Sequence, residues 1–399
     1  MLNPATESLL IEGASVVTPS GTKQGLSLFI EGGRIKRIFS SKESAPPNAG
    51  KVFALDGLTL FPGFIDIHMH GAVGIDVMEA SAEYLHRIGR YLSANGVTAW
   101  LPTIVPAPDK DYRSVAQSVE QLISKHNERA PVARALGLHY EGPFVNDEQC
   151  GALRSVFFRT FNNASDLRKL AVLKAEGARH MMTLAPEIDG GLELVQELKR
   201  RGWIASIGHT RAPVEILERA FKAGARHMTH FFNGMPALHH RAPGPVGWGL
   251  AHEEVTCDVI ADAVHVDPLA LRLLLRAKGA ERVSLISDSV APTGQGDGQF
   301  QFWNETITVK DGRTQNKSGH IAGSVINLSD AVRTMRGLGV SANDIALMAS
   351  RNPARLLVLE DDCGTIEEGK RADLVALSKD YSVRMTIIGG RIAFEQMSQ

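Results

Sequence analysis

The stretch FPGFIDIHMHG, residues 61–71, ends an apolar run with two histidines, His68 and His70, that are separated by one residue. A short apolar run of this kind predicts a buried β-strand. In a strand, residues i and i+2 point to the same side, so both imidazoles would face one spot. The stretch therefore predicts a site that uses two imidazoles, with further partners supplied by the rest of the chain.

Candidate strands recur after this stretch and alternate with helix-like segments. In order they are GFIDIH, VTAWLPTI, ALGLHYE, HMMTLAPE, WIASIGH, HMTHFFN, CDVIADAVH and VSLISDS. Eight strands in repeated βα units predict an α/β fold, a (β/α)₈ barrel of the TIM type. An open doubly wound sheet is the alternative, but no GxGxxG follows the first strand.

The connections between these strands carry their own predictions. Helices are predicted at residues 82–94, 112–126, 164–176, 191–200, 214–223 and 268–277. The link between HMTHFFN and CDVIADAVH is predicted to be mostly a Gly/Pro-rich loop. FQFWNETITVKDGR, after the last strand, is predicted to be a hairpin, and a lid, a dimer element and plain packing remain open for it.

The two ends of the chain resemble each other. Both SLFIEGGRIKRIF and MTIIGGRIAFEQ read as strand, Gly-Gly turn and strand, because glycine tolerates the positive φ angles of a tight hairpin. Neither end holds enough apolar surface to fold alone. We predict that residues 1–56 and 357–399 together form a small β-sandwich, and that residues 57–356 form the catalytic barrel.

Composition excludes several classes of function. The 399 residues include 43 Lys+Arg and 44 Asp+Glu, for a net charge of -1, which argues against a nucleic-acid partner. The three cysteines lie far apart without a CxxC, as expected in a reducing compartment. No signal peptide or membrane-spanning stretch is visible. The sequence predicts a cytoplasmic protein with no membrane partner.

Residues suited to metal binding recur where the predicted strands end. They are His68, His70, Glu141, Glu187, His209, His230, His265 and Asp288. In a TIM-type barrel the chemistry lies at the C-terminal ends of the strands. A single histidine there is usually structural, but imidazoles and carboxylates gathered at one end suit zinc, iron or a similar divalent ion.

Six of these residues exceed the needs of one four-coordinate ion. His68, His70, Glu141, His209, His230 and Asp288 would serve two ions about 3.5–4 Å apart, bridged by a carboxylate. Asp288 could also take a proton from an attacking water and pass it to the leaving group. A plain N-cap role for this aspartate is the structural alternative.

Several stretches together resemble a known enzyme family. They are PGFIDIHMHG, YEGPFVN, SIGHT, THFFNGMPALHHRAPG, DVIADAVHVDP, SDSVAPTG, IAGSVINLSDAVRTM and NPARLL…GTIEEGKRADLVAL, in this order. They are similar to the N-acetylglucosamine-6-phosphate deacetylases of the amidohydrolase superfamily. The resemblance covers nearly the whole chain. It implies a metal-dependent barrel, a small sandwich and a homodimer whose phosphate site is completed across the interface.

The resemblance also implies roles for individual residues. Glu141, His209 and His230 match the metal ligands of the family, and Asp288 matches its catalytic aspartate. His68 and His70 match the pair that completes a second metal site in two-metal members. The residues that match substrate-binding positions, for the sugar hydroxyls and the phosphate, are Asn233, Gly234, Arg241 and His265. A guanidinium suits a phosphate because it can donate two hydrogen bonds at once.

One departure leaves the substrate open. The family has Lys-Lys-Gly-x-His after its EGPF, whereas this chain has EGPFVNDEQCGALR, with Leu153 at the place of the histidine. The resemblance implies hydrolysis of the N-acetyl group of N-acetylglucosamine-6-phosphate to glucosamine-6-phosphate and acetate. An amidohydrolase acting on another N-acyl sugar or small amide is the alternative.

Two other functions agree less well with the sequence. A cyclic-amide hydrolase of the dihydroorotase type would carry a carboxylated lysine on the fourth strand, and HMMTLAPE has no lysine. A metal-free barrel with a structural role would have lost ligands, and none of the six is missing.

Overall fold

A computed structural model of the chain describes residues 8–46, 49–126, 130–302, 305–317 and 319–396. The strands in chain order are β1 (Ser8–Glu12), β2 (Ser15–Thr18), β3 (Gly21–Lys23), β4 (Leu26–Glu31), β5 (Arg34–Ser40), β6 (Lys51–Ala54), β7 (Thr59–Pro62), β8 (Phe64–Met69), β9 (Gly71–Ala72), β10 (Ile75–Asp76), β11 (Val97–Ile104), β12 (Arg134–Ala135), β13 (Gly137–Glu141), β14 (Arg179–Leu184), β15 (Ile204–Ile207), β16 (His227–Met228), β17 (Thr256–Ile260), β18 (Val283–Ile286), β19 (Gly298–Phe302), β20 (Glu305–Lys310), β21 (Arg313–Gln315), β22 (Leu374–Leu377), β23 (Val383–Ile388) and β24 (Arg391–Glu395).

The α-helices in chain order are α1 (Ala82–Ala94), α2 (Asp109–Ser124), α3 (Gly191–Arg200), α4 (Val214–Ala223), α5 (Gly244–Ala251), α6 (Pro268–Lys278), α7 (Leu328–Gly337), α8 (Ala342–Ala346) and α9 (Asn352–Leu356). A π-helical turn, Leu347–Arg351, joins the last two. Within the described ranges, no helix is both long and apolar enough to span a membrane.

Eight parallel strands form the barrel in the order β8, β11, β13, β14, β15, β16, β17 and β18. The last strand returns to the first at a seam, where Met69 bridges Ser289 and the Asp288 amide donates to the His68 carbonyl at 2.9 Å. The predicted (β/α)₈ barrel is therefore confirmed. Every residue of β8 and β11 is buried, as expected for strands covered by helices on the outside.

The helix predictions are confirmed at 82–94, 191–200 and 214–223, and α2 and α6 differ from theirs by a few residues at the ends. The prediction of a helix over 164–176 is wrong, because only a 3₁₀ turn, Asp166–Lys169, forms there. The backbone of this segment is bonded to other parts of the molecule instead: the Leu173 amide donates to His180 Nε2, and the Ala171 carbonyl accepts from the Tyr140 hydroxyl. Tertiary partners here replace the intrahelical bonds.

The predicted loop before the seventh barrel strand contains a helix, α5, that the Gly/Pro-rich sequence did not suggest. Pro245 lies in the first turn of α5. Proline lacks a backbone N–H, but N–H groups in the first turn have no intrahelical partner, so no hydrogen bond of the helix is lost. Val246 and Trp248 are buried against the barrel. The burial of these side chains, which local propensity does not capture, stabilises the helix.

The two ends of the chain form two packed sheets beside the barrel. One has the order β5-β4-β1-β6, and the other has the order β24-β23-β22-β7-β2-β3. Their shared core includes Leu28 and Ile30 from the first sheet and Leu374 and Ile387 from the second. The domain boundaries at 56 and 357 stay a prediction, and residues 1–7 and 397–399 of that predicted domain lie outside the described ranges.

Both predicted Gly-Gly turns are present, with φ between +54° and +76° at residues 32, 33, 389 and 390. The turns also touch each other: a Cβ on Gly33 would lie 3.0 Å from the Gly389 carbonyl oxygen. Glycine is therefore required both by the backbone conformation and by the close approach of the two hairpins.

A buried carboxylate, Asp373, ties the sandwich to the barrel. It accepts from Arg134 Nη2 at 2.9 Å, from Arg371 Nε at 3.0 Å and from the Gly389 amide at 2.7 Å. Burial opposes ionisation, but the two guanidinium groups and the amide hold the pKa of Asp373 below its usual range. Since Arg134 lies in β12, which pairs with the barrel strand β11, this ion pair joins the two parts of the fold.

We predict that Asp373→Asn lowers the free energy of unfolding by roughly 3–5 kcal/mol, because it leaves two cations around a neutral group. Urea titration measures the change. The matched control, Asp361→Asn, removes an exposed carboxylate and should change the value by less than about 0.5 kcal/mol. The contribution of Asp373 should be complete above about pH 4 and fall as the pH drops below that value. Equal stabilities of the two variants would contradict this role.

Candidate metal centre

The six predicted metal ligands meet at one end of the barrel. His68 lies within β8 and Glu141 ends β13, whereas the others follow their strands by one or two residues. All six are at most 8% exposed; they are His68, His70, Glu141, His209, His230 and Asp288. The barrel thus brings together residues that are up to 220 positions apart in the numbering, which is 288 minus 68.

Glu141 lies between two pairs of imidazoles. On one side, its Oε1 atom is 2.9 Å from His209 Nε2 and 3.1 Å from His230 Nε2, and these nitrogens are 3.1 Å apart. On the other side, His68 Nε2 is 3.6 Å from Oε1 and His70 Nε2 is 3.4 Å from Oε2. The two triads share the glutamate, so a carboxylate bridging two ions fits the arrangement.

Asp288 adds a second carboxylate beside the triad of His68, His70 and Glu141. Its Oδ1 atom lies 3.5 Å from His68 Nε2 and 3.3 Å from His70 Nε2. It also lines the cavity above the triads, so the same carboxylate faces both the ligand cluster and the space open to a small molecule.

Partners of the second ring nitrogen orient one histidine pair. His209 Nδ1 lies 2.7 Å from the Gln149 carbonyl oxygen, and His230 Nδ1 lies 3.1 Å from the Asn233 carbonyl oxygen. A proton on Nδ1 would be donated to these carbonyls, which leaves the Nε2 lone pair free to bind a metal. His68 Nδ1 has no hydrogen-bond partner among the described residues. The His209–His230 pair is therefore the better oriented of the two.

The charges within the cluster are strongly coupled. Burial opposes ionisation of Glu141, but hydrogen bonds with His209 and His230 hold its pKa well below the usual range. Burial opposes protonation of His230 and His70, yet Glu141 raises the pKa of His230 to about 9, and Asp288 with Glu141 raises that of His70 to about 10. A divalent ion that binds here displaces protons from the imidazoles, so rising pH favours binding.

Three of the six residues have left-handed backbone: φ is +47° at His209, +31° at His230 and +49° at Asp288. Such angles are costly for side-chain-bearing residues and persist only where neighbours enforce them. At His230 the enforcing group is the fully buried Asp258, which accepts from the His230 amide and from His227 Nε2 at 3.0 Å.

Sequence reasoning missed two carboxylates that shape the site. Asp258 lies inside its strand rather than at the end, so the strand-end rule passed over it. Asp262 Oδ2 lies 2.6 Å from His265 Nδ1 and orients that ring, a role that the D-x-x-H spacing could have suggested. The sequence placed Glu187 at a strand end but gave it no role. Its carboxylate accepts hydrogen bonds from the Asn146 side chain, the Thr210 hydroxyl and the Arg211 amide, and it therefore joins two loops.

A cavity of about 160 Å³ opens above the cluster. Asn233, Gly234 and His265 line it, as do Ala152, Leu153 and Ile321. A Cβ on Gly234 would lie 3.0 Å from His209 Nδ1 at a φ of +63°, so this position requires glycine.

Arg241 does not reach this cavity within the single chain. It is exposed, and its Nη1 atom lies 2.7 Å from His240 Nε2. Arg154, the cation next to Leu153, also lies elsewhere, with its guanidinium 4.7 Å from the centre of the Phe157 ring. Neither arginine lines the cavity walls that the structure describes.

Comparison with known proteins assigns the chain. Residues 59–393 match the amidohydrolase family. The chain belongs to this family. A Bacillus subtilis N-acetylglucosamine-6-phosphate deacetylase is 36% identical over 389 residues, which cover 97% of this chain and 98% of the relative. An Escherichia coli O157:H7 N-acetylgalactosamine-6-phosphate deacetylase is 34% identical over 339 residues, 85% of this chain and 88% of the relative.

Solved structures agree with this assignment. The N-acetylglucosamine-6-phosphate deacetylase of Thermotoga maritima superposes with a TM-score of 0.86 at 31% identity, over 97% of this chain and 100% of that one. The Pasteurella multocida enzyme of the same name gives 0.88 at 27% identity, over 96% and 99%. This amidohydrolase is therefore a metal-dependent hydrolase, and its buried imidazole and carboxylate groups are of the kind that hold a divalent ion.

We predict two classes of metal affinity at least ~10-fold apart, because partners of the ligating histidines commonly change affinity by 10- to 100-fold. Zinc titration of metal-stripped protein against a chromogenic chelator measures both. His209→Gln should abolish the tighter class, and His68→Gln should remove only the weaker one. The control, exposed His240→Gln, should leave both intact. Loss of the tighter class in His68→Gln would contradict this order.

Proposed function

We propose that this amidohydrolase removes the N-acetyl group from N-acetylglucosamine-6-phosphate, giving glucosamine-6-phosphate and acetate. The observation that carries the proposal is the match of the Bacillus subtilis deacetylase over 97% of the chain. The buried cluster supports it, because acyl-transfer chemistry on an amide needs an activated water and a polarised carbonyl. We assign the cavity of Asn233, Gly234 and His265 to the sugar.

Two divalent ions, Zn²⁺ or Fe²⁺, are proposed for the centre, held by His209, His230 and Glu141 and by His68, His70 and Glu141. When bound, such ions polarise an amide carbonyl and lower the pKa of an attacking water. Nitrogen and carboxylate donors without a thiolate suit either metal.

Asp288 is proposed as the general base and acid. Its carboxylate borders both the ligand cluster and the cavity. It takes a proton as the water oxygen bonds to the acetyl carbon, and it returns that proton to the sugar nitrogen as the C–N bond breaks. The amine leaves neutral, and the new oxygen keeps the second proton of the water until the acetic acid product ionises to acetate.

Arg241 is proposed to bind the phosphate, from a loop rich in glycine and proline. Exposed apolar side chains, one beside this loop and two on α6, which is in contact with α5, support a homodimer. Leu269 and Leu273 are 74% and 52% exposed and lie one helical turn apart on α6, and Leu238 packs over α5 with 53% of its surface exposed. A second copy covering this side would bury them and approach Arg241.

A cytoplasmic location also stays a proposal. Its support is that Cys150, Cys257 and Cys363 are all free thiols, as is usual in a reducing compartment.

The proposed reaction is tested by acetate release from N-acetylglucosamine-6-phosphate, its galacto isomer and unphosphorylated N-acetylglucosamine. We predict preference for the phosphorylated gluco sugar. Asp288→Asn should lower kcat at least ~10²-fold at unchanged metal content, since the amide keeps the shape and loses the proton acceptor. Absence of acetate release from the phosphorylated sugars would overturn the function.

The same panel tests Arg241. A lost charge-assisted hydrogen bond costs roughly 1.5–3 kcal/mol, so Arg241→Ala should raise KM about 10- to 150-fold for the phosphorylated sugar only. The control, Arg226→Ala, removes an exposed arginine that pairs with Glu254 and should leave KM unchanged.

We predict that the wild-type protein sediments as a dimer and that Leu269→Glu with Leu273→Glu sediments as a monomer, because buried carboxylates would face an apolar partner. The control is Val358→Glu, since Val358 is 72% exposed in another part of the fold. A monomeric wild type would exclude this interface.

A further inference from the structure

The two sides of the cavity differ in chemistry. Asn233 and His265 bring an amide and an imidazole to one side. The cavity is also lined by the side chains of Ala152, Leu153 and Ile321, which offer neither a hydrogen-bond donor nor an acceptor. We call these three residues the apolar wall.

Barrel order places Leu153, at the centre of the apolar wall, opposite the polar side. Leu153 packs with Val105 and Val145, which follow the second and third barrel strands. Asn233 and His265 follow the sixth and seventh strands. In an eight-stranded barrel the second strand faces the sixth and the third faces the seventh. A molecule that spans the cavity therefore touches polar groups at one end and the apolar wall at the other.

The apolar wall is held in place by its surroundings. The Leu153 amide donates to the Cys150 carbonyl at 2.9 Å, and the side chain is only 8% exposed. Ala152 packs against the cluster that contains Val290, which follows the last barrel strand, and Phe302, the last residue of β19.

The loop before Leu153 is bonded to the metal centre itself. The Asn146 amide donates to the His209 carbonyl at 3.0 Å, and the Gln149 carbonyl lies 2.7 Å from His209 Nδ1. The position of the wall relative to the ligand cluster is thus fixed, so it can discriminate between groups that reach it.

We propose that the apolar wall, with Leu153 at its centre, is the acyl subsite and selects N-acyl groups with an aliphatic end. The inference rests on the proposed function, because the sugar is assigned to the side of the cavity that carries Asn233 and His265. With the amide carbon over the ligand cluster, the acyl chain then points to the wall. Leu153 is a specificity-determining residue for the acyl group and takes no part in proton transfer.

Two nearly isosteric substrates test whether the apolar wall discriminates between acyl groups by polarity rather than by size. N-propionyl and N-glycolyl glucosamine-6-phosphate differ by a terminal methyl against a hydroxyl. The wall gives the hydroxyl no partner, and an unpaired buried hydroxyl is disfavoured enough to lower kcat/KM by roughly 10- to 100-fold. The wild-type protein should therefore favour N-propionyl over N-glycolyl by at least about 10-fold.

The decisive variant is Leu153→Asn, which has a similar size and adds an amide. The propionyl-to-glycolyl ratio of kcat/KM should fall at least about 10-fold. Val156→Asn, in the same loop but 80% exposed, should keep the wild-type ratio. Leu153→Ala is the second variant, for the case that the asparagine destabilises the loop; it opens space and should raise kcat/KM for N-butyryl relative to N-acetyl.

The outcomes distinguish a failure of the proposed acyl subsite from a failure of the proposed function. Hydrolysis of the N-acetyl substrate with equal kcat/KM for N-propionyl and N-glycolyl would overturn the acyl subsite and leave the proposed function standing. An unchanged ratio in folded Leu153→Asn would also overturn it. Failure to hydrolyse any of the phosphorylated N-acyl sugars would overturn the proposed function, and the subsite with it.

Discussion

The carboxylate of Glu141 lies within 3.6 Å of an imidazole nitrogen from each of four histidines, and the residue is only 4% exposed. A buried carboxylate is tolerated only when charges or hydrogen bonds compensate it. The four imidazoles come from three other barrel strands or the residues just after them. The site therefore exists only when the barrel closes in one register, which makes this carboxylate the constraint on which the rest of the geometry depends.

Supporting groups enforce the positions of these ligands. His209, His230 and Asp288 have left-handed backbone, which costs roughly 1–3 kcal/mol for each residue. Asp258 fixes the backbone of His230, and the seam hydrogen bond to the His68 carbonyl fixes Asp288. Two of the three strained positions are thus maintained by hydrogen bonds between buried groups.

Strand ends and loops contribute different groups to the site. The strand ends supply the groups proposed for metal binding and proton transfer, because a closed barrel holds them rigidly. The loops supply the walls that a substrate meets, and they tolerate changes of sequence that the strands do not. The segment that carries Leu153 shows the difference: its hydrogen bonds to His209 are made by the backbone, so its side chains can vary without disturbing the ligand.

The sequence alone determined the features that depend on local spacing. Alternation in a strand predicted that His68 and His70 share a face, and the glycine pairs predicted both hairpins. The strand-end rule found all six clustered residues, because parallel strands in a barrel finish at one rim. The prediction of a helix over 164–176 is wrong because backbone groups of this segment bond to His180 and Tyr140. Local sequence cannot reveal such distant partners.

Only the tertiary structure decided how these features combine. His209 and Glu141 are 68 positions apart, and no periodicity specifies that one glutamate serves two pairs of imidazoles. The same holds for Asp258, whose role depends on a neighbouring strand, and for the separation of Arg241 from the cavity. Local sequence sets backbone conformation and the face on which a side chain lies. Distances between distant segments follow from packing and barrel closure, which depend on the whole chain at once.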